Sequence, residues 1–246
     1  MIFLFTDFGR EGPYVGQMHA VLAQRAPGVP MIDLMHDAPV HDPRAAAYLL
    51  AALAAEIPEG SVCCAVVDPG VGTDRPAVAV EADGRWFVGP GNGLFELIRR
   101  RAILCRRHVV RWHPERLSAS FHGRDLFAPV AARLAAEGGL PDDWLDDDDG
   151  PPPGADWPDD LSEILYADRF GNLMTGLRAG KADRDGVLDI AGHTVRYART
   201  FGEAAPGEPF WYENSCGLVE IALPNGTAAA RLRAGPGDAI SLAPPR

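Results

Sequence analysis

Short apolar runs, each stopped abruptly by an acid, a glycine or a proline, organise the first half of the chain. "IFLF" (2–5) stops at Thr6-Asp7-Phe8-Gly9, "MIDLM" (31–35) at His36-Asp37, and "SVCCAVV" (61–67) at Asp68-Pro69-Gly70. Such runs, apolar on successive residues, predict strands covered on both faces. Between them, "VGQMHAVLAQRAPG" and "DPRAAAYLLAALAAEIPEG" have helical spacing, the second with Asp42 as N-cap and Pro43 in its first turn. Strand and helix alternating in this way predict βαβ units and an α/β domain with a mainly parallel sheet. Two more helices are expected, one opened by "GNGLFELIRRRA" and one over "DLFAPVAARLAAEGG".

The pattern then changes. "PDDWLDDDDGPPPGADWPDD" (141–160) is acid, proline and glycine with little to bury, and predicts an acidic, Pro-rich linker over residues 146–160. Its run from Asp146 to Asp149 lacks the alternation and final Glu of a calcium loop. Beyond it come short alternating runs such as "SEILYAD", "HTVRYAR", "EPFWYE" and "GLVEIAL", with no long helix between them. They predict a smaller all-β, barrel-like domain of antiparallel strands over residues 161–246, after an α/β domain over residues 1–145.

Composition narrows the function classes. The 246 residues are 47% hydrophobic, enough for real cores, and the net charge of −11 disfavours nucleic acid and anionic membrane as partners. No apolar run approaches the roughly 20 residues that span a bilayer. "MIFLFTDFG" has neither a basic n-region nor a small-residue cleavage site, so no signal peptide and a cytoplasmic location are expected. Cys63, Cys64, Cys105 and Cys216 show no CxxC spacing and read as reduced thiols rather than disulfides or a zinc site.

Ligands of parallel sheets sit outside the carboxyl ends of the strands. Asp7 and Asp68 both follow predicted strands, so both belong to one crevice. Asp7 could hold a ribose diol or serve an Asx-type turn. Arg75 lies beyond two glycines that let it fold back toward Asp68, and His122 precedes a glycine and a helix. An Asp–Arg–His cluster suits proton handling beside a fixed cation, although an ordinary ion pair with a capping His fits the same letters. "GPGNG" (89–93) lacks the Lys-Ser/Thr of a phosphate loop and reads as a turn. His36 and His41 in "HDAPVHD" could ligate a metal, but no third His-rich element backs them, and neither metal nor cofactor is expected. In the second domain, "YADRFGNLMT" and "ENSCGLVEIAL" crowd Asn, Gly and acids as an adenine edge would need, with Phe170 available to stack; hairpin turns explain them equally. Phe210, Trp211 and Tyr212 read as core.

Taken in order, "FTDFG", "VDPGVGTDR", "GPGNGLFE", "FHGRDLFAP", "ADRFGNLMT" and "NSCGLVEIA" resemble the S-adenosylmethionine (SAM) hydroxide adenosyltransferases, SAM hydrolases that form adenosine and are related to fluorinase and chlorinase. The resemblance implies a homotrimer that holds SAM between the first domain of one subunit and the second of its neighbour. It implies Asp68, Arg75 and His122 as a water-handling triad and Asp7 as the ribose ligand. Phe170 and Asn172 would meet the adenosine and Asp168 the methionine amino group, with Ser215, Glu220 and Phe201 completing that side. The halogenases lack the triad and carry an extra loop in the first domain, whereas "GTDRPAVAVEADGRWFVGP" runs through without an insertion. Gly91 stands where relatives have an acid, and Gly176 where they have Asn. Hydrolysis of SAM to adenosine and L-methionine is therefore expected. The alternatives are a SAM- or adenosine-binding module without turnover and a halide-dependent 5′-halo-adenosine synthase.

Overall fold

The computed structural model describes residues 1–148 and 150–243, so Asp149 of the acidic run and the last residues of the second domain lie outside the described residues. The chain divides into two compact units, Met1–Trp157 and Pro158–Arg246.

In the first unit, β1 (Ile2–Thr6) and β3 (Val62–Val66) are buried along their whole length, as their unbroken apolar runs require. They pair in parallel, with β2 (Met31–Met35) on the far side of β1 and β5 (Arg85–Pro90) beyond β3. From β5 onward the sheet changes character. β4 (Ala77–Ala82), β6 (Cys105–Val110) and β7 (Leu145–Asp147) continue it antiparallel, in the order β2-β1-β3-β5-β4-β6-β7. The sheet is therefore mixed, not mainly parallel. The cause is Asp83-Gly84, whose φ angles of 47° and 72° make a two-residue hairpin between β4 and β5 where a parallel connection would need a crossover. The acidic stretch also contributes structure: residues 145–147 form β7, and Arg100 donates to the carbonyls of Gly154 and Trp157.

α1 (Tyr14–Arg25) and α4 (Ala128–Glu137) cover the sheet through Met18, Leu22, Val130 and Leu134. α2 (Pro43–Leu53) begins as its sequence predicts, with the Asp42 carboxylate accepting from the Ala45 amide at 3.0 Å and Pro43 in the first turn. α3 (Glu96–Arg101) follows the "GPGNG" turn. The segment preceding α4 departs from expectation: Gly123–Phe127 is a π-helical turn. Pro129 supplies the reason, since it has no N–H and its ring would crowd the carbonyl four residues back.

The second unit is one sheet, in the order β14 (Ile240–Ala243), β10 (Val187–Ile190), β11 (His193–Tyr197), β12 (Phe210–Glu213), β13 (Leu218–Ala222), β9 (Leu173–Arg178) and β8 (Leu161–Ala167). A bridge from Glu163 to Ala239, flanked by the Ile164–Asp238 and Gly237–Ile164 hydrogen bonds, brings the last strand back toward the first, so the sheet is a nearly closed barrel. One pair, β11 with β12, is parallel, because the long connection between them returns the chain to the same end. Trp211 is fully buried in this core, while Phe210 and Tyr212 pack with Phe201.

Candidate active site

Thr6 pairs with Val66 across the parallel β1–β3 ladder, so Asp7 and Asp68 emerge at the same carboxyl end of adjacent strands. The Asp7 side chain is 7% exposed, and its Oδ2 accepts the His41 amide at 3.0 Å. Its Oδ1 takes no hydrogen bond from the described residues. One face of this carboxylate thus fastens the loop ahead of α2.

Asp68, Arg75 and His122 meet. Arg75 Nε donates to Asp68 Oδ1 at 2.8 Å, and Nη2 donates both to Asp68 Oδ2 and to His122 Nδ1, the latter at 3.0 Å. Nη1 donates to the Pro76 carbonyl at 3.2 Å. The side chains of Asp68 and Arg75 are 5% and 10% exposed, so this fork sits largely out of water, with the guanidinium 5.1 Å from the Phe127 ring centre. The local sequence explains the turn-back. Gly70 and Gly72 sit between the two ends of the fork, and Gly72 has a φ of 80°. A Cβ there would come within 2.5 Å of the Ala119 carbonyl, so only glycine lets this loop lie against the one that carries His122.

His122 is held in a defined state. Guanidinium has donors only, so Nδ1 must accept and the neutral ring carries its proton on Nε2. Burial lowers its pKa from the ordinary histidine value, the Arg75 charge lowers it further, and Asp68 opposes both. The rings of Phe8, Tyr14 and Phe121 pack edge to face or tilted at 5.2–5.8 Å, which ties the residue after Asp7 to the residue before His122. An open pocket bordered by Arg75, His113, Ala119 and His122 adjoins the cluster.

One contributor was not singled out by sequence. Asn92 Nδ2 donates to the Val67 carbonyl at 2.9 Å, so the "GPGNG" turn buttresses the residue before Asp68. The signal available was an Asn between two glycines at a strand end, which by itself says only turn. Gly91 is packed against Pro76 and Val78 at distances too short for a Cβ, so packing explains the glycine here.

In the second unit, Asp168 holds the β8–β9 turn: its Oδ1 accepts the Phe170 and Asn172 amides and its Oδ2 the Asn172 side chain, at 2.8–3.0 Å. The turn presents Phe170, 73% exposed, and keeps Asn172 buried. Glu220 is buried, accepting from Tyr212 Oη at 2.5 Å and Asn214 Nδ2 at 2.8 Å. Desolvation and the Glu220 carboxylate push the Tyr212 pKa up, so its hydroxyl stays a donor. Asn214 in turn accepts the Cys216 and Leu218 amides and shapes the turn that exposes Ser215. Phe201, 46% exposed, packs edge to face against Phe210 and Tyr212. Gly176 follows from packing, since a Cβ would lie 2.5 Å from Leu161 Cβ across the β8–β9 pair. All four cysteines are free, and burial raises the Cys63 pKa to about 12.

Comparison with known proteins adds to this geometry. Residues 2–142 match the model of the SAM hydroxide adenosyltransferase N-terminal domain, and residues 162–241 that of the C-terminal domain. A relative from Thermus thermophilus named (R)-S-adenosyl-L-methionine hydrolase is 44% identical over 249 residues, covering 94% of each chain. A fluorinase from Actinoplanes sp. is 24% identical over 90% of each chain. The crystal structure of an uncharacterized conserved protein from Thermotoga maritima superposes with a TM-score of 0.88 at 28% identity, covering 98% of this chain and 99% of that one.

Proposed function

Because the chain belongs to the SAM hydroxide adenosyltransferase family, we infer that it hydrolyses S-adenosyl-L-methionine to adenosine and L-methionine by attack of water at the ribose 5′ carbon. The observation that carries the site assignment is the Arg75 fork, which joins Asp68 and His122 at the strand end beside Asp7.

The chemistry follows from charge. The sulfonium makes C5′ electrophilic; as the new C–O bond forms, the C–S bond breaks and its electron pair leaves with sulfur as the neutral thioether of methionine. Hydroxide and sulfonium lose charge together on the way to the transition state, so a site shielded from water favours the step. Arg75 has one Nη1 hydrogen uncommitted among the described residues, and it offsets the developing hydroxide charge. Nε2–H of His122 orients the water oxygen, and the lone pairs that Asp68 keeps beyond the Arg75 fork take the departing proton. His122 therefore orients rather than accepts, because its Nδ1 is already filled by Arg75. The open oxygen of Asp7 binds the ribose diol and aligns C5′. From the second domain, Phe170 stacks on adenine, while Asn172, Ser215 and Phe201 line that side. Asp168 and Glu220 act there mainly by shaping the turns, with Asp168 still able to accept the methionine ammonium. Only the first domain supplies the reacting groups, and the second supplies recognition.

The same reading places the protein in the cytoplasm, in keeping with its four free thiols, and as a homotrimer with SAM held between subunits. Exposed Phe170 and Phe201 support such an assembly, and light scattering at three chain masses or one decides it.

The deciding experiment is chromatography of purified protein incubated with SAM, each sulfonium epimer separately and chloride varied, with Asp68→Ala alongside. Adenosine that accumulates with time, ignores chloride and disappears in the variant is the expected result, with the (R) form preferred as in the name of the Thermus relative. Bound adenosine without turnover indicates a binding module, and a 5′-chloro product indicates a halide transferase.

A pH profile follows from His122. Its pKa lies below 6.5, and protonation removes the lone pair that accepts from Arg75. kcat/KM is therefore expected to fall toward acid through a single ionisation that lies below the ordinary histidine value of about 6.5. An acid limb centred above 6.5, or one unchanged in His122→Gln, contradicts this assignment.

A further inference from the structure

Behind the strand end that carries Asp7 lies a second group of chemically able side chains that the hydrolase reading does not use. His19 projects from α1, Asp33 from β2, and His36 follows β2 directly. His19 Nε2 is 2.6 Å and His36 Nε2 3.1 Å from the same oxygen of Asp33, and the three ligand atoms lie within 4.8 Å of one another. We propose that His19, Asp33 and His36 bind a divalent transition-metal ion of the zinc class.

Three features point there. His36 is 1% exposed, and its Nε2 faces Asp33 without a properly aligned hydrogen-bond partner. A buried ring nitrogen left that way is costly unless something else takes its lone pair. Its other nitrogen already has a partner: Nδ1 lies 2.8 Å from Thr6 Oγ1, a hydroxyl that can accept the Nδ1 proton or donate to the Nδ1 lone pair. In the tautomer protonated on Nδ1 the Nε2 lone pair is aimed at the cluster, as in metal sites where an outer partner holds the other ring nitrogen. Finally, the backbone is arranged for convergence. Residues three apart on a regular strand point to opposite faces, but the β1–β2 register slips between Leu4 and Phe5, so that Leu34 is skipped in the pairing. The irregularity turns Asp33 and His36 toward one point, as bulges do when they re-aim a side chain.

Two imidazoles and one carboxylate suit zinc, cobalt or nickel and leave a coordination position for water. With ligand–metal distances of about 2.0–2.2 Å, the three atoms need only small adjustments to surround an ion. His19 and Asp33 are each about one-third exposed, which gives the ion a route in. His36 finds its partners here, and not in His41, which sits 3.9 Å from Asp7. A bound ion would clamp α1 to the β1–β2 corner, one residue from Asp7.

The test uses tag-free, full-length protein titrated with cobalt(II) and followed by its visible absorption, with zinc added afterwards to displace it. One cobalt per chain, displaced by zinc, with an affinity reduced at least about 10-fold in both His19→Ala and Asp33→Asn, is the expected result. Zinc should also raise the melting temperature of the wild type by several degrees and leave both variants unmoved. No cobalt band at millimolar metal, or binding indifferent to both substitutions, overturns the site and leaves the cluster a proton-linked ion pair. Neither outcome bears on SAM turnover, so the metal site and the hydrolase reading stand or fall separately.

Discussion

Replacing Arg75 with alanine is expected to lower kcat about 10²- to 10³-fold, or about 2.7–4 kcal/mol of transition-state stabilisation, while KM stays within a few-fold of wild type. Arg75 contacts Asp68, His122 and Pro76, with no side chain assigned to the ribose or adenine. Its loss therefore strikes the reacting water and leaves recognition. Arg75→Lys should fall between, because an ammonium keeps the charge but cannot span both Asp68 oxygens and His122 at once. If the three groups act as a unit, the double variant Asp68→Ala/Arg75→Ala will be hardly slower than the worse single variant. Removing Arg75 also leaves a carboxylate that is 5% exposed without its cation, so each variant needs a melting curve beside its kinetics. Arg75→Ala that melts like the wild type and turns over like it would remove Arg75 from the chemistry. A tenfold or larger rise in KM at unchanged kcat would move it to the substrate side.

The parts of this fold that were legible in sequence are those where local chemistry acts alone. Unbroken apolar runs marked β1 and β3, and Asp42-Pro43 marked the start of α2, because burial and capping are written in adjacent residues. The sheet's mixed direction was also written locally, in Asp83-Gly84, a two-residue turn between the apolar runs of "AVAVEADGRWFV", to which the sequence reading assigned no strands. The parallel β11–β12 pair was not legible, since the letters of a strand do not say which neighbour it will find. The π-helical turn at Gly123–Phe127 falls between the two cases: "DLFAPVAARLAAEGG" predicts a plain helix, and Pro129 within it does not say how the turn before it resolves.

For the site, spacing brought out Asp7, Asp68, Arg75 and His122, because strand-end acids and a Gly-flanked arginine are visible one residue at a time. What spacing could not convey is who occupies whom. The tautomer of His122 depends on Arg75 filling Nδ1, a contact across 47 positions. The cluster of His19, Asp33 and His36 joins a helix to a strand 14 residues on, whereas the sequence suggested the nearer pair of His36 and His41. The acids at 168 and 220 look like ligands in a sequence, yet both spend most of their hydrogen-bonding capacity inside their own domain.

Glu220 gives that last distinction a measurable form. Glu220→Ala leaves the Tyr212 hydroxyl and the Asn214 amide without their acceptor in a buried setting, at about 1–3 kcal/mol each. The second domain should lose roughly 2–6 kcal/mol, seen as a melting transition lower by roughly 10 °C or more. Because Asn214 also accepts the Cys216 and Leu218 amides, the turn bearing Ser215 should loosen, and KM should rise as a consequence. Glu220→Gln separates cause from consequence. Its amide oxygen can keep Asn214, while its NH₂ reverses the Tyr212 bond and strands the phenolic hydrogen, so about half the stability loss is expected. KM should follow stability in both variants if Glu220 positions the turn. If Glu220→Gln melts with the wild type yet loses affinity for SAM, the carboxylate charge itself meets the substrate. The Tyr212–Glu220–Asn214 network is then only the frame around a binding residue.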